Sequence, residues 1–254
     1  MALLESIYDF VFVDPMNKAL RTSPIIFPSI IISYVLFVTW IGPAMMKKRK
    51  AFDLRIIMVA YDITEVLING YIAYRLFGLI RQHRYLYCLA KNNPSYSSVV
   101  ESIIIFGWSV FLNKMVELLD TIFFVLRKKQ EQITFLHVAH HSSICILSWI
   151  LVRNPHQLGG FYIAVGIAIN AVVHCVMYIY YALAALGPEV AKHLWWKKYV
   201  TIIQMAQFVV DILYLFVGFF TGCEELGKME ITSAAFLIYL LYLFNNFFKK
   251  YKQQ

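Results

Sequence analysis

Long apolar runs alternate with short clusters of charge along this chain. The runs are continuous and lack a period of two, so they predict helices and not the strands of a transmembrane barrel. Seven segments qualify: Pro24–Met46, Leu54–Ile80, Ser97–Leu126, Thr134–Val152, Leu158–Ala185, Tyr199–Thr221 and Ile231–Phe248. Each approaches or exceeds the ~20 residues that a helix needs to cross a bilayer core. The pattern predicts an all-α polytopic membrane protein with seven transmembrane helices, and residues 1–254 form one membrane domain. The segment Met1–Arg21 is mixed, with Glu5, Asp9 and Asp14, and does not read as a cleavable signal.

Composition removes the alternatives. Of the 254 residues 60% are hydrophobic and 15% charged. Soluble domains run near ~45–50% and ~25%, and disordered chains are poorer still in apolar side chains. The net charge of +8 reads as topology. One set of connections carries Lys47–Lys50, Arg127, Lys128, Lys129, Lys192, Lys197, Lys198, Lys249, Lys250 and Lys252. The opposite set carries fewer basic residues: Lys18, Arg21, Arg81, Arg84, Lys91, Arg153 and Lys228. The richer set is assigned to the cytosol, which places the N-terminus outside or in a lumen and the C-terminus in the cytosol. Basic residues spread over separate loops offer no nucleic-acid face. The four cysteines lack metal-ligand spacing. Cys145 and Cys175 fall inside spans as small hydrophobes. Cys88 and Cys223 fall in non-cytosolic loops and form a candidate disulfide in an oxidising compartment.

Polar groups within spans are costly and mark candidate functional sites. Here they recur at helical spacing. The second span carries Asp62, Glu65 and Asn69; the third carries Lys114, Glu117 and Thr121, with Asp120 beside them. The fourth carries His137, His140 and His141. The fifth carries Asn170, His174 and Tyr178, and the sixth carries Thr201, Gln204, Gln207 and Asp211. Residues three or four apart share a helix face. Measured from the cytosolic ends at 1.5 Å per residue, these groups fall ~5–18 Å into the membrane. One polar slab in the cytosolic half predicts a chamber open to the cytosol.

The segment His137-Val-Ala-His140-His141 admits three chemistries. Membrane di-iron enzymes use boxes of this form, but they need about eight histidines; this chain has seven in all, of which His83, His156 and His193 lie outside the spans. The companions are too few for two irons; a single zinc site with carboxylate help is arithmetically open, and no metal is expected. A neutral imidazole can instead attack an activated acyl group, with a second imidazole or an amide orienting it or moving protons. Asn170, one turn from His174, suits such a pair. The third reading is core histidines with structural hydrogen bonds, which four histidines in one slab disfavour.

Taken together, several motifs resemble the very-long-chain fatty acid elongases, the ELO-type condensing enzymes. The first is Lys114-Met-Val-Glu117-Leu-Leu-Asp120-Thr121, followed by Leu136-His137-Val-Ala-His140-His141. The others are Asn170-Ala-Val-Val-His174 running to Met177-Tyr178, and Trp195-Trp196-Lys197-Lys198-Tyr199 with Thr201, Gln204 and Gln207. Gly42-Pro43 and the basic Lys47–Lys50 are similar more weakly. Departures are Ala139 where the family has an aromatic residue, Asp62 in place of asparagine, and Ala51 in place of proline.

The resemblance implies six helices in a ring of two inverted three-helix units around an acyl tunnel, with the first helix outside. It implies condensation of an acyl-CoA with malonyl-CoA and no cofactor beyond these substrates. His140 is the implied nucleophile, with His141, His174 or Cys145 as alternatives. His137, His141, His174, Asn170, Gln204 and Gln207 are implied to support it. Lys114, Glu117, Asp120, Thr121, Tyr178 and Thr201 form a supporting network, and Arg127, Lys128, Lys129, Lys197 and Lys198 meet the CoA phosphates. The implied partners are the ketoacyl-CoA reductase, dehydratase and enoyl-CoA reductase of the elongation cycle, within membrane lipid. Lys250 and Lys252 resemble a retrieval signal of the endoplasmic reticulum membrane. Two rivals share the topology. A seven-helix receptor does not require this histidine and glutamine set, and a transporter needs a site reachable from both faces.

Overall fold

A computed structural model of the chain describes residues 20, 23–82, 106–153, 160–221 and 228–252. Every regular element among the described residues is helical. In chain order these are α1 (Ile26–Leu36), α2 (Gly42–Met46), α3 (Arg55–Gln82), α4 (Leu119–Leu126), α5 (Phe135–Arg153), α6 (Gly160–Ala185), α7 (Pro188–Ala191), α8 (Lys197–Phe220) and α9 (Lys228–Lys252). Residues 106–116 are also helical and lead into α4. Six helices among the described residues are long and apolar enough to cross a membrane. Ile26–Met46, Arg55–Gln82, Phe135–Arg153, Tyr162–Ala185, Lys197–Phe220 and Glu230–Lys249 correspond to six of the seven expected segments. Residues 97–105 of the remaining segment, and with them His83, Cys88, His156 and Cys223, lie outside the described residues.

Two expected helices are not regular. The first contains a π turn, Phe37–Ile41, in which the Gly42 N–H reaches back five residues to the Phe37 carbonyl. Pro43 explains it: proline lacks an N–H and its ring crowds the carbonyl four residues earlier, so the helix widens just before it. The second is the expected Ser97–Leu126, which is interrupted at Glu117 and Leu118. There the Leu118 N–H donates to Met115 and the Asp120 N–H to Glu117, each three residues back. The ladder tightens for one turn and then resumes as α4.

The chain divides into two compact units, Met1–Asp53 with Ile104–Pro155, and Leu54–Ile103 with His156–Gln254. The core of the first is aromatic. Phe27 stacks on Trp149 at 4.9 Å and meets Phe111 edge-on at 5.3 Å, while Val38, Met46, Leu118, Val125 and Cys145 close around them. In the second unit α3 lies antiparallel along α6: Tyr61 meets Tyr178 at 6.0 Å, and the Cys175 thiol donates to the Val66 carbonyl. On α8, Phe208 packs on Phe244 of α9 at 5.3 Å and Tyr214 on Tyr162 of α6 at 6.2 Å. Large apolar side chains face outward, among them Ile56 at 83% and Phe220 at 80% exposure. Outward apolar and inward polar is the arrangement hydrocarbon surroundings require.

Gly42 is a point of close approach in the first unit. A Cβ there would stand 2.7 Å from Val125 Cγ1 and 2.8 Å from the Phe37 carbonyl oxygen. Gly42→Val is expected to cost ~1–3 kcal/mol by overpacking. The measurement is thermal unfolding in detergent, and Val125→Ala in the same chain should recover only part of the loss because the Phe37 carbonyl remains.

Candidate active site

In the first unit α5 presents the imidazoles. Thr134, immediately before the helix, accepts the N–H of His137 at 3.2 Å, the N-cap bond that a threonine before an apolar run predicts. His137 and His141, four apart, lie on one face with ring centroids 4.4 Å apart; His140 stands 5.4 Å from His141 at nearly right angles. Phe124 of α4 covers His137 at 5.1 Å. His141 is buried, and His137 and His140 are half-buried. Ser142 and Ser143 donate to carbonyls of their own helix, including those of Val138 and Ala139, so their hydroxyls are taken up structurally.

Beside the break before α4 lies a buried ion pair. Lys114 Nζ is 2.7 Å from Glu117 Oε1 and 3.0 Å from Oε2, and Asn113 Nδ2 donates to Glu117 Oε1 at 3.1 Å. The break has a direct consequence. In a regular helix the Lys114 carbonyl would accept from Leu118, but that N–H is turned to Met115. The Cys145 thiol of α5 donates to the Lys114 carbonyl instead, at 3.0 Å, and is fully buried there. Thr121 and the Tyr34 hydroxyl on α1 share a hydrogen bond of 2.7 Å. Asp120 is buried in the first turn of α4.

The basic turn after α4 closes that helix. The N–H of Lys129 bonds the Phe124 carbonyl and that of Lys128 the Val125 carbonyl, a Schellman pattern with Lys128 in the left-handed region at φ 58°. Lys128 Nζ donates to the Arg49 carbonyl at 3.0 Å. Lys129 pairs loosely with Glu131 at 3.9 Å, and Arg127 caps the helix.

In the second unit the polar stripes of α3, α6 and α8 point inward. Asp62, Glu65, Asn69, His174, Gln207 and Asp211 are each no more than 6% exposed, and Tyr178 is fully buried. Asn69 Nδ2 donates to the Glu65 carbonyl at 2.9 Å and to Glu65 Oε2 at 3.1 Å. The His174 ring is 5.9 Å from that of Tyr178. Asn170 Nδ2 donates to Gln207 Oε1 at 3.4 Å, Gln207 Nε2 to Asp211 Oδ2 at 3.4 Å, and Gln204 Nε2 to Met177 Sδ at 3.3 Å. Thr201 is half-buried one turn before Gln204. Lys197 and Lys198 open α8, exposed, with Lys198 Nζ 5.0 Å from the Tyr199 ring centroid. Lys250 and Lys252 fall in the last turn of α9.

The sequence stripes thus divide between the units: imidazoles of the box with the Lys114–Glu117 pair in one, His174 with the amides in the other. Three partners lay outside the stripes read from sequence. Asn113 is four residues before Glu117, a spacing that could have identified it. The Lys114 carbonyl as partner of Cys145, and Tyr34 as partner of Thr121, carried no local signal.

Apolar spans that bury a histidine and an ion pair in one unit, and a histidine and amides in the other, define a multi-pass membrane protein with polar groups inside its spans. Residues 19–254 match the ELO family, described as the GNS1/SUR4 family, and the chain belongs to it. It is 37% identical to human very long chain fatty acid elongase 4 over 242 residues, covering 93% of this chain and 74% of that protein. It is 38% identical to mouse very long chain fatty acid elongase 1, covering 80% and 72%, and 36% identical to Drosophila melanogaster very long chain fatty acid elongase 7, covering 93% and 72%.

The ion pair generates a stability prediction. Lys114→Met leaves a buried carboxylate without its cation and should cost ~3–5 kcal/mol. Adding Glu117→Gln removes the second charge while keeping an acceptor for Asn113, and should recover most of the loss. Thermal unfolding of the two variants checks both.

Proposed function

We propose that this protein condenses a long-chain acyl-CoA with malonyl-CoA, giving a 3-ketoacyl-CoA two carbons longer, CO2 and CoA. This is the first step of very-long-chain fatty acid elongation, the work of a 3-oxoacyl-CoA synthase. The observation that carries the reading is the three-imidazole cluster at the start of a membrane-spanning helix, in a chain of the ELO family. With it go a seventh span and a six-helix inverted-repeat ring around an acyl tunnel.

An imidazole nitrogen of His140 attacks the thioester carbonyl carbon; the carbon–sulfur bond breaks and CoA leaves as the thiol, carrying the imidazole proton. Malonyl-CoA loses CO2, and the electron pair left on its α-carbon attacks the acyl carbon. The acyl–nitrogen bond breaks, and the departing nitrogen takes up a proton passed on from solvent by a neighbouring imidazole, so that neutral imidazole returns. His137 and His141 hold the box or move protons, and His174 orients or activates. Asn170, Gln204 and Gln207 are the amides from which oxyanion donors are drawn. Lys114, Glu117, Asp120, Thr121, Tyr178 and Thr201 hold these groups in place. Arg127, Lys128, Lys129, Lys197 and Lys198 receive the CoA phosphates. The step needs no metal or cofactor beyond the two CoA substrates.

Of the alternative nucleophiles, Cys145 has a structural task, its bond to the Lys114 carbonyl. The 3-ketoacyl product must next be reduced, dehydrated and reduced again, so reductase and dehydratase partners follow. The reading places the protein in the endoplasmic reticulum membrane, with a lumenal N-terminus, a cytosolic C-terminus and Lys250 and Lys252 as retrieval signal.

Microsomes containing the protein should make a malonyl-CoA-dependent product from at least one long-chain acyl-CoA. His140→Ala should lower its rate ~10²-fold or more, and Cys145→Ala should retain it. Acyl-CoA alone should add one acyl group that maps to His140; an adduct on Cys145, His141 or His174 reassigns the nucleophile, and no product with any acyl-CoA overturns the reading. Replacing Lys250 and Lys252 with serine should release the protein from its compartment, followed by microscopy; unchanged localisation leaves these lysines only their topological role.

A further inference from the structure

Three side chains of the second unit, Gln207 and Asp211 buried and Asn170 half-buried, form a hydrogen-bonded chain whose direction can be read. Asn170 on α6 donates through Nδ2 to Gln207 on α8, and Gln207 donates through Nε2 to Asp211 one turn further along α8. The Asp211 carboxylate lies against the α6 backbone, where a Cβ added to Gly166 would stand 3.8 Å from Oδ1. Gly166 is one turn before Asn170, so α6 meets α8 at both ends of the hydrogen-bonded chain.

An amide is nearly symmetric in shape and can present either its oxygen or its nitrogen. Two amides facing each other therefore do not choose their own direction. A carboxylate can only accept. It compels Gln207 to turn its NH2 group toward Asp211 and its carbonyl toward Asn170, and Asn170 must then give its NH2 group. The Asn170 carbonyl is left as the end of the chain that accepts. His174, four residues on, lies on the same face of α6 and carries N–H chemistry that matches it.

We infer that Asp211 is a positioning residue: it sets the donor–acceptor direction of the Asn170–Gln207 pair, so that Asn170 offers a carbonyl to an imidazole N–H of His174 and fixes its tautomer. The same logic divides the three amides. Gln204 Nε2 is held by Met177 Sδ, and a thioether is a weak acceptor. That N–H is surrendered at little cost to a developing oxyanion, so Gln204 is the oxyanion donor and Asn170 and Gln207 are the orienting pair. The effect on turnover rests on the elongase reading; the direction of the chain does not.

The test uses the full-length protein and side-chain swaps of nearly equal shape. Asp211→Leu removes the acceptor and should lower kcat at least ~10-fold with KM for both CoA substrates nearly unchanged, while Asp211→Asn, which keeps an acceptor oxygen, should lose much less. Gln207→Glu sets two carboxylates against each other and should lower kcat as strongly as Asp211→Leu. Adding Asp211→Asn to Gln207→Glu restores a donor–acceptor pair with the Asn170 direction kept, and should bring kcat back to within about threefold of the unmodified protein. The inference is overturned if Asp211→Leu turns over normally, if Asp211→Asn is no better than Asp211→Leu, or if the swapped pair gives no rescue. Should Asp211→Leu not fold, the near-isosteric swap carries the test. Should the unmodified protein make no malonyl-CoA-dependent product, the elongase reading fails. Unfolding temperatures of the swap series then decide the relay alone: a swapped pair more stable than Gln207→Glu supports it, and additive losses overturn it.

Discussion

A polar group surrounded by hydrocarbon has no water to turn to, and its partner must come from the protein. Most of this structure follows from that constraint. Lys114 is answered by Glu117, Glu117 also by Asn113, Thr121 by Tyr34, and Gln207 by Asp211 on one side and Asn170 on the other. Each bond joins groups that would otherwise be costly to bury. Together they hold the reactive residue types in defined positions inside helices whose outer faces are apolar. The same chemistry that makes the interior expensive to build makes it rigid once built.

The break before α4 illustrates how local geometry and long-range packing are linked. A tightened turn at Leu118 releases the carbonyl of Lys114, and the thiol of Cys145, on another helix, takes it up. The break is thereby sealed, and the ion pair of Lys114 and Glu117 is held beside the helix that carries the histidines. Proline plays the corresponding part in the first span, where Pro43 forces the π turn and Gly42 lets α2 approach Val125. Helical regularity is given up at these two places, and each brings a side chain of another element against the backbone.

The candidate chemistry divides along the same lines as the packing. The first unit supplies the histidine box and its ion pair; the second supplies His174, the amides and a buried carboxylate. In the second unit hydrogen bonds have a direction as well as a position, because a carboxylate at one end can only accept. That asymmetry sets the direction of the Asn170–Gln207 pair, whereas Gln204 donates to the weakly accepting Met177 sulfur at 3.3 Å.

The sequence by itself determined the helical class, six of the spans to within a few residues, and most of the polar residues buried within them. Hydropathy and the 3.6-residue period are local properties, so they are legible in a one-dimensional string. Only the tertiary structure decided the partners. Nothing local marks Glu117–Leu118 as a break, since neither glycine nor proline stands there; the Lys114 carbonyl that it releases is taken up by Cys145, 31 residues away. Tyr34 and Thr121 are 87 residues apart, and no spacing rule connects them. Asp211 was visible as one more polar position on its helix face. Its role depends on Gln207 meeting Asn170 from α6, a contact that exists only once the two helices have packed.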